Sequence, residues 1–157
     1  MATPTNVAPA HDAPDRIPLV RILIGTIVAI VAATILNVIV FYIGDAAGAF
    51  PDDFRFEPPM GGGETSIGVG NVILTTVSYL AIAGVVFAII SRFSRRPARV
   101  FWWVAIVAFL LSLLQPLTLE DAPNDMVAFL MAMHVVATIV VVAVFTRLAE
   151  GTASSRF

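Results

Sequence analysis

Residues 72–114 read VILTTVSYLAIAGVVFAIISRFSRRPARVFWWVAIVAFLLSLL: two apolar runs joined by nine residues that hold four arginines. The runs at 72–90 and 100–114 contain no charged residue. About 20 consecutive apolar residues cross the hydrocarbon of a bilayer. Both runs therefore read as spans, and the basic turn between them as a loop held on one side of a membrane. Phe101, Trp102 and Trp103 open the second run, where indole rings mark the membrane–water boundary. Its strictly apolar part is only 15 residues long. The span has to continue through Gln115 and Pro116 towards Leu119, or tilt little, or thin the bilayer.

Two further runs flank this pair, 22–43 before it and 126–145 after it. The run at 22–43 is followed by Ala47-Gly48-Ala49, which resembles a signal-cleavage site. A signal core is only about 7–15 residues long, so a retained helix is the better reading. Backbone groups in hydrocarbon must pair within their own segment, so each run should be helical. The expected fold is all-α: a four-helix transmembrane bundle over 19–148, with helices at about 20–44, 71–91, 99–117 and 125–147. An outer loop fills 45–70. Residues 1–18, rich in Pro and small polar residues, are expected to form a disordered cytoplasmic tail, and 149–157 a second cytoplasmic tail.

Composition agrees. The chain has 157 residues, of which 59% are hydrophobic and 13% charged. Soluble domains run at about 45–50% and about 25%, so lipid has to be the solvent for much of this chain. Cysteine is absent, which removes disulfides, thiolate chemistry and acylation through sulfur. Lysine is absent too, which reads as a genomic bias.

The charges are partitioned. Arg16, Arg21, Arg92, Arg95, Arg96, Arg99, Arg147 and Arg156 fall on one side of the four spans, and only Arg55 on the other. Short arginine-rich loops stay in the cytoplasm, so both termini are expected inside, with the basic turn Arg92, Arg95, Arg96 and Arg99 also available to anionic lipid. A bias this strong disfavours a dual-topology dimer. The opposite side holds Asp45, Asp52, Asp53, Glu57, Glu64, Glu120, Asp121 and Asp125. Phe50, Phe54 and Phe56 sit among these acids, placed to dip into headgroups or to pack over the mouth of the bundle.

Helices in lipid associate through small and polar residues, because lipid tails are as apolar as Leu. Gly25, Ala29, Ala33 and Asn37 form one such ridge at four-residue spacing. Ala105, Ala108, Ser112 and Gln115 form another, as do Met131, His134, Thr138 and Val141. The second helix offers Ala81, Gly84 and Ala88. At a rise of about 1.5 Å per residue, Asn37 lies about 10 Å, Tyr79 about 12 Å, Ser112 about 8 Å and His134 about 13 Å from the acidic end. Asn37, Tyr79, Ser112 and His134, one per helix, are thus the candidate intramembrane polar cluster, expected to open towards the arginine-poor side.

Two readings of that cluster stand. In one, it supplies only cross-helix hydrogen bonds, at an average of about 0.6 kcal/mol each. Alternatively His134 binds a ligand or relays a proton, since an ionisable group inside a membrane is a functional candidate by default and His titrates near neutrality. No catalytic constellation, metal site or cofactor site is visible. A bis-His haem would need a partner other than His11 in the tail. The acids of 45–57 match no Ca²⁺ loop. Gly61-Gly62-Gly63 lacks the Gly-Lys-Ser/Thr of a phosphate loop and reads as a flexible joint.

Arg96-Pro97-Ala98-Arg99-Val100-Phe101, Ser112-Leu113-Leu114-Gln115-Pro116 and Met133-His134-Val135-Val136 resemble a bacterial family of four-helix integral membrane proteins, a domain of unknown function common in actinobacteria. The resemblance covers about 18–148. It implies the four-pass fold and a bacterial plasma membrane, and brings no activity. The expected function is that of a non-enzymatic membrane partner or accessory protein. The alternative is an oligomeric small-molecule or proton carrier using the cluster around His134. The expected partners are the lipid bilayer and either further copies or another membrane protein, with no nucleic acid.

Overall fold

A computed structural model describes residues 17–57 and 63–154. They form five helices: α1 (Leu19–Ala46), α2 (Val69–Phe93), α3 (Pro97–Ser112), α4 (Leu114–Leu117) and α5 (Asn124–Ser154). α3 and α4 together make one span, so four helical segments are long and apolar enough to cross a membrane. The fold is the expected all-α four-span bundle. Among the described residues there is no strand, only one antiparallel bridge between Phe56 and Thr65 in the α1–α2 loop. Of the expected N-terminal tail, residues 1–16 lie outside the described residues, as do Gly61 and Gly62.

α1 is the axis of the bundle. It packs most extensively against α5 and α2, while α3 leans mainly on α5. The four-residue ridge explains why: Gly25, Ala29, Ala33 and Asn37 are all buried, and Ile22, Phe41 and Gly44 extend the same face. Small residues let the backbones approach. A Cβ on Gly25 would run into Leu148, and one on Gly84 would meet the Thr26 Cγ2 at 2.6 Å.

The other inward faces are rotated from expectation. On α2 Gly84 is buried and Ala88 half-buried, but Ala81 is exposed; the packed face is Val72, Thr76, Leu80, Gly84, Phe87 and Ser91. On α3 Ala105 is buried, Ser112 and Gln115 are half-buried, and Ala108 is exposed. On α5 Val141 is buried, with Met131, His134 and Thr138 half-buried; Met126, Met133 and Phe145 are the other deep positions. These helices are apolar nearly all round, so their own pattern gives little contrast between a protein-facing and a lipid-facing side.

The third span takes the first of its three alternatives and continues through Gln115 and Pro116, but with a break. α3 ends at Ser112 and α4 resumes at Leu114. Pro116 has no N–H to give the Ser112 carbonyl four residues earlier, and its ring crowds that carbonyl. α5 continues through Ser154, so residues 149–154, assigned above to a tail, are helical. Leu148 and Ala149 pack against the core there, and Ile17, assigned to the N-terminal tail, is buried in the same cluster.

Two apolar clusters fill the bundle. One reaches the arginine-bearing end, where Phe87, Phe101 and Phe145 converge from α2, α3 and α5. Phe87 stacks on Phe145 at 4.6 Å, and Phe101 meets the pair edge-on at 5.2 and 5.1 Å. The other closes the acidic end with Phe41, Phe50, Val72, Met126 and Met133. Phe50 arrives from the loop because α1 ends in a tight reversal. Gly48 takes a left-handed φ of 75°, Ala49 N–H donates to the Gly44 carbonyl and Gly48 N–H to the Asp45 carbonyl, both at 2.9 Å. This pattern caps a helix C-terminus and needs a residue without a Cβ at the left-handed position. Ala47-Gly48-Ala49 is thus a helix cap. It turns Phe50 back onto Phe41 at 5.0 Å and Phe129 at 6.1 Å. Phe54 packs on the same cluster.

Candidate functional site: a polar layer between two apolar clusters

Asn37 lies on α1 one turn from Ala33 in the first cluster and one turn from Phe41 in the second. Thr76 lies on α2 one turn from Leu80 and one from Val72, again between the two clusters. The two polar groups meet: Asn37 Nδ2 donates to Thr76 Oγ1 at 3.1 Å. Asn37 is only 3% exposed. Its Oδ1 has no partner, and neither has the buried Thr34 Oγ1 one turn back on the same helix. Two buried oxygens, three residues apart on one face, therefore lack donors.

The register of α1 against α5 follows from two contacts. Gly25 faces Val144 and Leu148, and Gly44 faces Phe129. The helices run antiparallel, so the turn of α5 around His134 to Val136 lies at the depth of Asn37. His134 is half-buried there. Its Nδ1 lies 2.7 Å from the Leu130 carbonyl. A carbonyl only accepts, so Nδ1 carries the proton and a neutral ring offers Nε2 as an acceptor. Thr138 Oγ1 donates at 2.8 Å to the His134 carbonyl. Ser112 Oγ donates at 2.7 Å to the Phe109 carbonyl, beside the α3–α4 break.

The four candidate residues therefore separate. Asn37 is buried and bonded across helices. Ser112 and His134 are half-buried and bonded to their own helices. Tyr79 is 44% exposed on the outside of α2. No hydrogen bond joins any two of them. On α2 it is Thr76, one turn nearer the acidic end, that meets Asn37. Sequence reasoning passed over Thr34 and Thr76. The signal for Thr76 was its place on the 72–76–80–84 ridge, whose four-residue spacing matches the ridge of α1.

The layer lies between the two apolar clusters. The cluster of Phe50, Met126 and Met133 follows it towards the acidic end, and the phenylalanine trio lies towards the arginine-bearing end. Two surface grooves lie elsewhere. One runs along the flank of α3, lined by Trp103, Val104, Val107, Ala108 and Leu111. The other lies between α1 and α5 near the arginine-bearing end. Arg92, Arg95, Arg96 and Arg99 of the α2–α3 turn are all exposed. Among the described residues no three His, Asp or Glu side chains gather to hold a metal ion.

No curated protein and no solved structure matches the chain. Residues 18–151 match a family of unknown function, DUF6069. The match takes in all four spans and the residues of the polar layer, so this multi-pass, four-helix membrane protein belongs to the DUF6069 family.

Proposed function

We propose that this protein is a non-enzymatic carrier of a bacterial plasma membrane, with both termini in the cytoplasm, and that it takes a proton or a small protonated solute through the layer of Thr34, Asn37, Thr76 and His134. One observation carries the reading: two buried oxygens have no hydrogen-bond partner, Asn37 Oδ1 at the depth of a half-buried histidine and Thr34 Oγ1 about one turn from it. An unpaired buried acceptor is costly unless a water, ion or ligand supplies the missing donor. With Nδ1 bonded to the Leu130 carbonyl, the His134 ring leaves Nε2 to face a solute. Apolar clusters on both sides of the layer fit an occluded state, in which either cluster has to part before the solute leaves. The exposed arginine turn supports the orientation.

The test is transport in proteoliposomes that enclose a pH-sensitive dye, driven by an acid jump or by ammonium chloride. The protein-dependent rate is expected to fall at least tenfold in His134→Leu and in Asn37→Leu, with helix content unchanged by circular dichroism. Equal rates in the variants and the wild type would overturn the reading.

A second reading, an accessory subunit that docks on further copies or on another membrane protein, is favoured by the flank of α3. This helix is held mainly by α5, and its open face carries the small Ala108 within a groove of about 370 Å³. A small residue on a lipid-facing side lets another helix approach closely. Absence of His134-dependent transport, together with an assembly broken by Ala108→Phe, would move the function to this reading.

A further inference from the structure

The groove between α1 and α5 joins residues of the Gly25–Leu148 packing contact to an arginine that neither transport nor helix packing uses. Its walls are Ile24, Gly25 and Val28 of α1 and Val144, Arg147 and Leu148 of α5, around a volume of about 310 Å³. All but one of these residues are apolar. The exception, Arg147, is exposed although it lines the groove. Long basic side chains lay their methylene stems on apolar surface and lift the charged head to water.

A second arginine stands beside the same groove. Arg21, Ile24 and Val28 are three and four residues apart, so they share one face of α1. Arg21 is exposed in the first turn of that helix, where the span meets the membrane surface. The Gly25–Leu148 contact puts Arg147 about one turn deeper than Arg21. Arg147 thus lines a groove whose floor is hydrocarbon, and Arg21 lies beyond it towards the membrane surface, on the α1 face that carries Ile24 and Val28. Neither forms an ion pair or a hydrogen bond among the described residues, although Glu150 lies one turn beyond Arg147. Two unpaired guanidinium groups above an apolar trough match the shape and charge of one molecule: a lipid whose phosphate lies at the surface and whose chain descends beside it. Guanidinium binds phosphate oxygens in pairs, which gives geometric selectivity as well as charge.

We propose that the α1–α5 groove is a binding site for one anionic phospholipid, with an acyl chain along Ile24, Val28 and Val144 and the phosphate held by Arg21 and Arg147. The site is separate from the arginines of the α2–α3 turn, none of which lines this groove.

The test is native mass spectrometry of the full chain released from nanodiscs of phosphatidylcholine containing phosphatidylglycerol. The wild type is expected to retain one phosphatidylglycerol in preference to phosphatidylcholine. Arg21→Gln and Arg147→Gln should each weaken retention about fivefold, the effect of one basic group near an anionic headgroup, whereas Arg92→Gln/Arg95→Gln should leave it unchanged. Val28→Trp, which fills the trough and spares both arginines, should abolish it. Equal losses from the turn arginines would show general charge attraction and overturn the site. So would retention in Arg21→Gln/Arg147→Gln, or full retention in Val28→Trp.

Discussion

Asn37 uses one of its two amide hydrogens, on Thr76, and neither lone pair of Oδ1. This asymmetry sets its energetics. Asn37→Leu removes the unpaired acceptor together with the bond, and Thr76 can then turn its hydroxyl to its own helix as Thr does elsewhere in this protein. Its effect on stability is expected to stay within about 0.6 kcal/mol, the mean value of such bonds in a membrane. Thr76→Val keeps the amide and strips it of its acceptor, which costs about 1–3 kcal/mol. The double variant should be no less stable than Asn37→Leu alone. Reversible unfolding in mixed micelles measures all three, and a Thr76→Val variant as stable as wild type would mean that the bond contributes nothing. Asn37 was legible in the sequence because it ends a ridge of small residues at regular spacing. Its partner was not, because the rotation of α2 is set by where α1 receives Gly84, beside Thr26, not by the residues of α2 themselves. Tyr79, the larger polar group, lies one turn from Thr76 and is exposed.

At the scale of the element, the third span shows how far length alone reaches. Fifteen apolar residues are too few for an ordinary span, which left extension through Gln115 and Pro116, little tilt or a thinned bilayer, and the structure extends the span to Leu117. The position of the break follows from the proline, whose lost bond falls on Ser112. Pro116→Ala is expected to merge α3 and α4 into one helix and to give residue 116 an amide bonded to the Ser112 carbonyl. Hydrogen exchange reads this directly: the new amide should be protected like those of α3, and exchange at a loop-like rate would contradict the account. The gain in stability should stay below the roughly 3 kcal/mol that proline costs inside a helix, because the buried Pro116 ring also gives up its packing. The end of α5 was less legible. Nothing in the polar residues after Arg147 marks a helix, and the packing of Leu148 and Ala149 on the core carries it onward.

Across the whole molecule, burial is sparse: between 11% and 28% of the residues in the most apolar stretch of each span are buried inside the bundle. Lipid covers the rest, so stability rests on a few close contacts. The phenylalanine trio is the largest of them, with Phe87 and Phe145 fully buried. Phe87→Ala would empty a site bounded by three helices. Lipid replaces water as the reference solvent, which trims the transfer contribution and leaves mainly the cavity, so a loss of about 2 kcal/mol is expected. Unfolding in micelles checks it, and a loss under about 0.5 kcal/mol would mean that the ends of α2, α3 and α5 are not held by these rings. The four spans were legible because a bilayer dictates length and excludes charge. The layered interior was not, because an all-apolar helix does not reveal which side its neighbours occupy. One feature reaches beyond the finished fold. The axis α1 shares its most extensive contact with α5, the last of the four spans to be made. During synthesis the α1–α2 hairpin can form early, but the flank of α1 that receives α5 must wait in lipid until α5 enters the membrane. The growing chain therefore passes through a stage in which its central helix is half-dressed, and in which any other transmembrane helix that fits the ridge competes with its own.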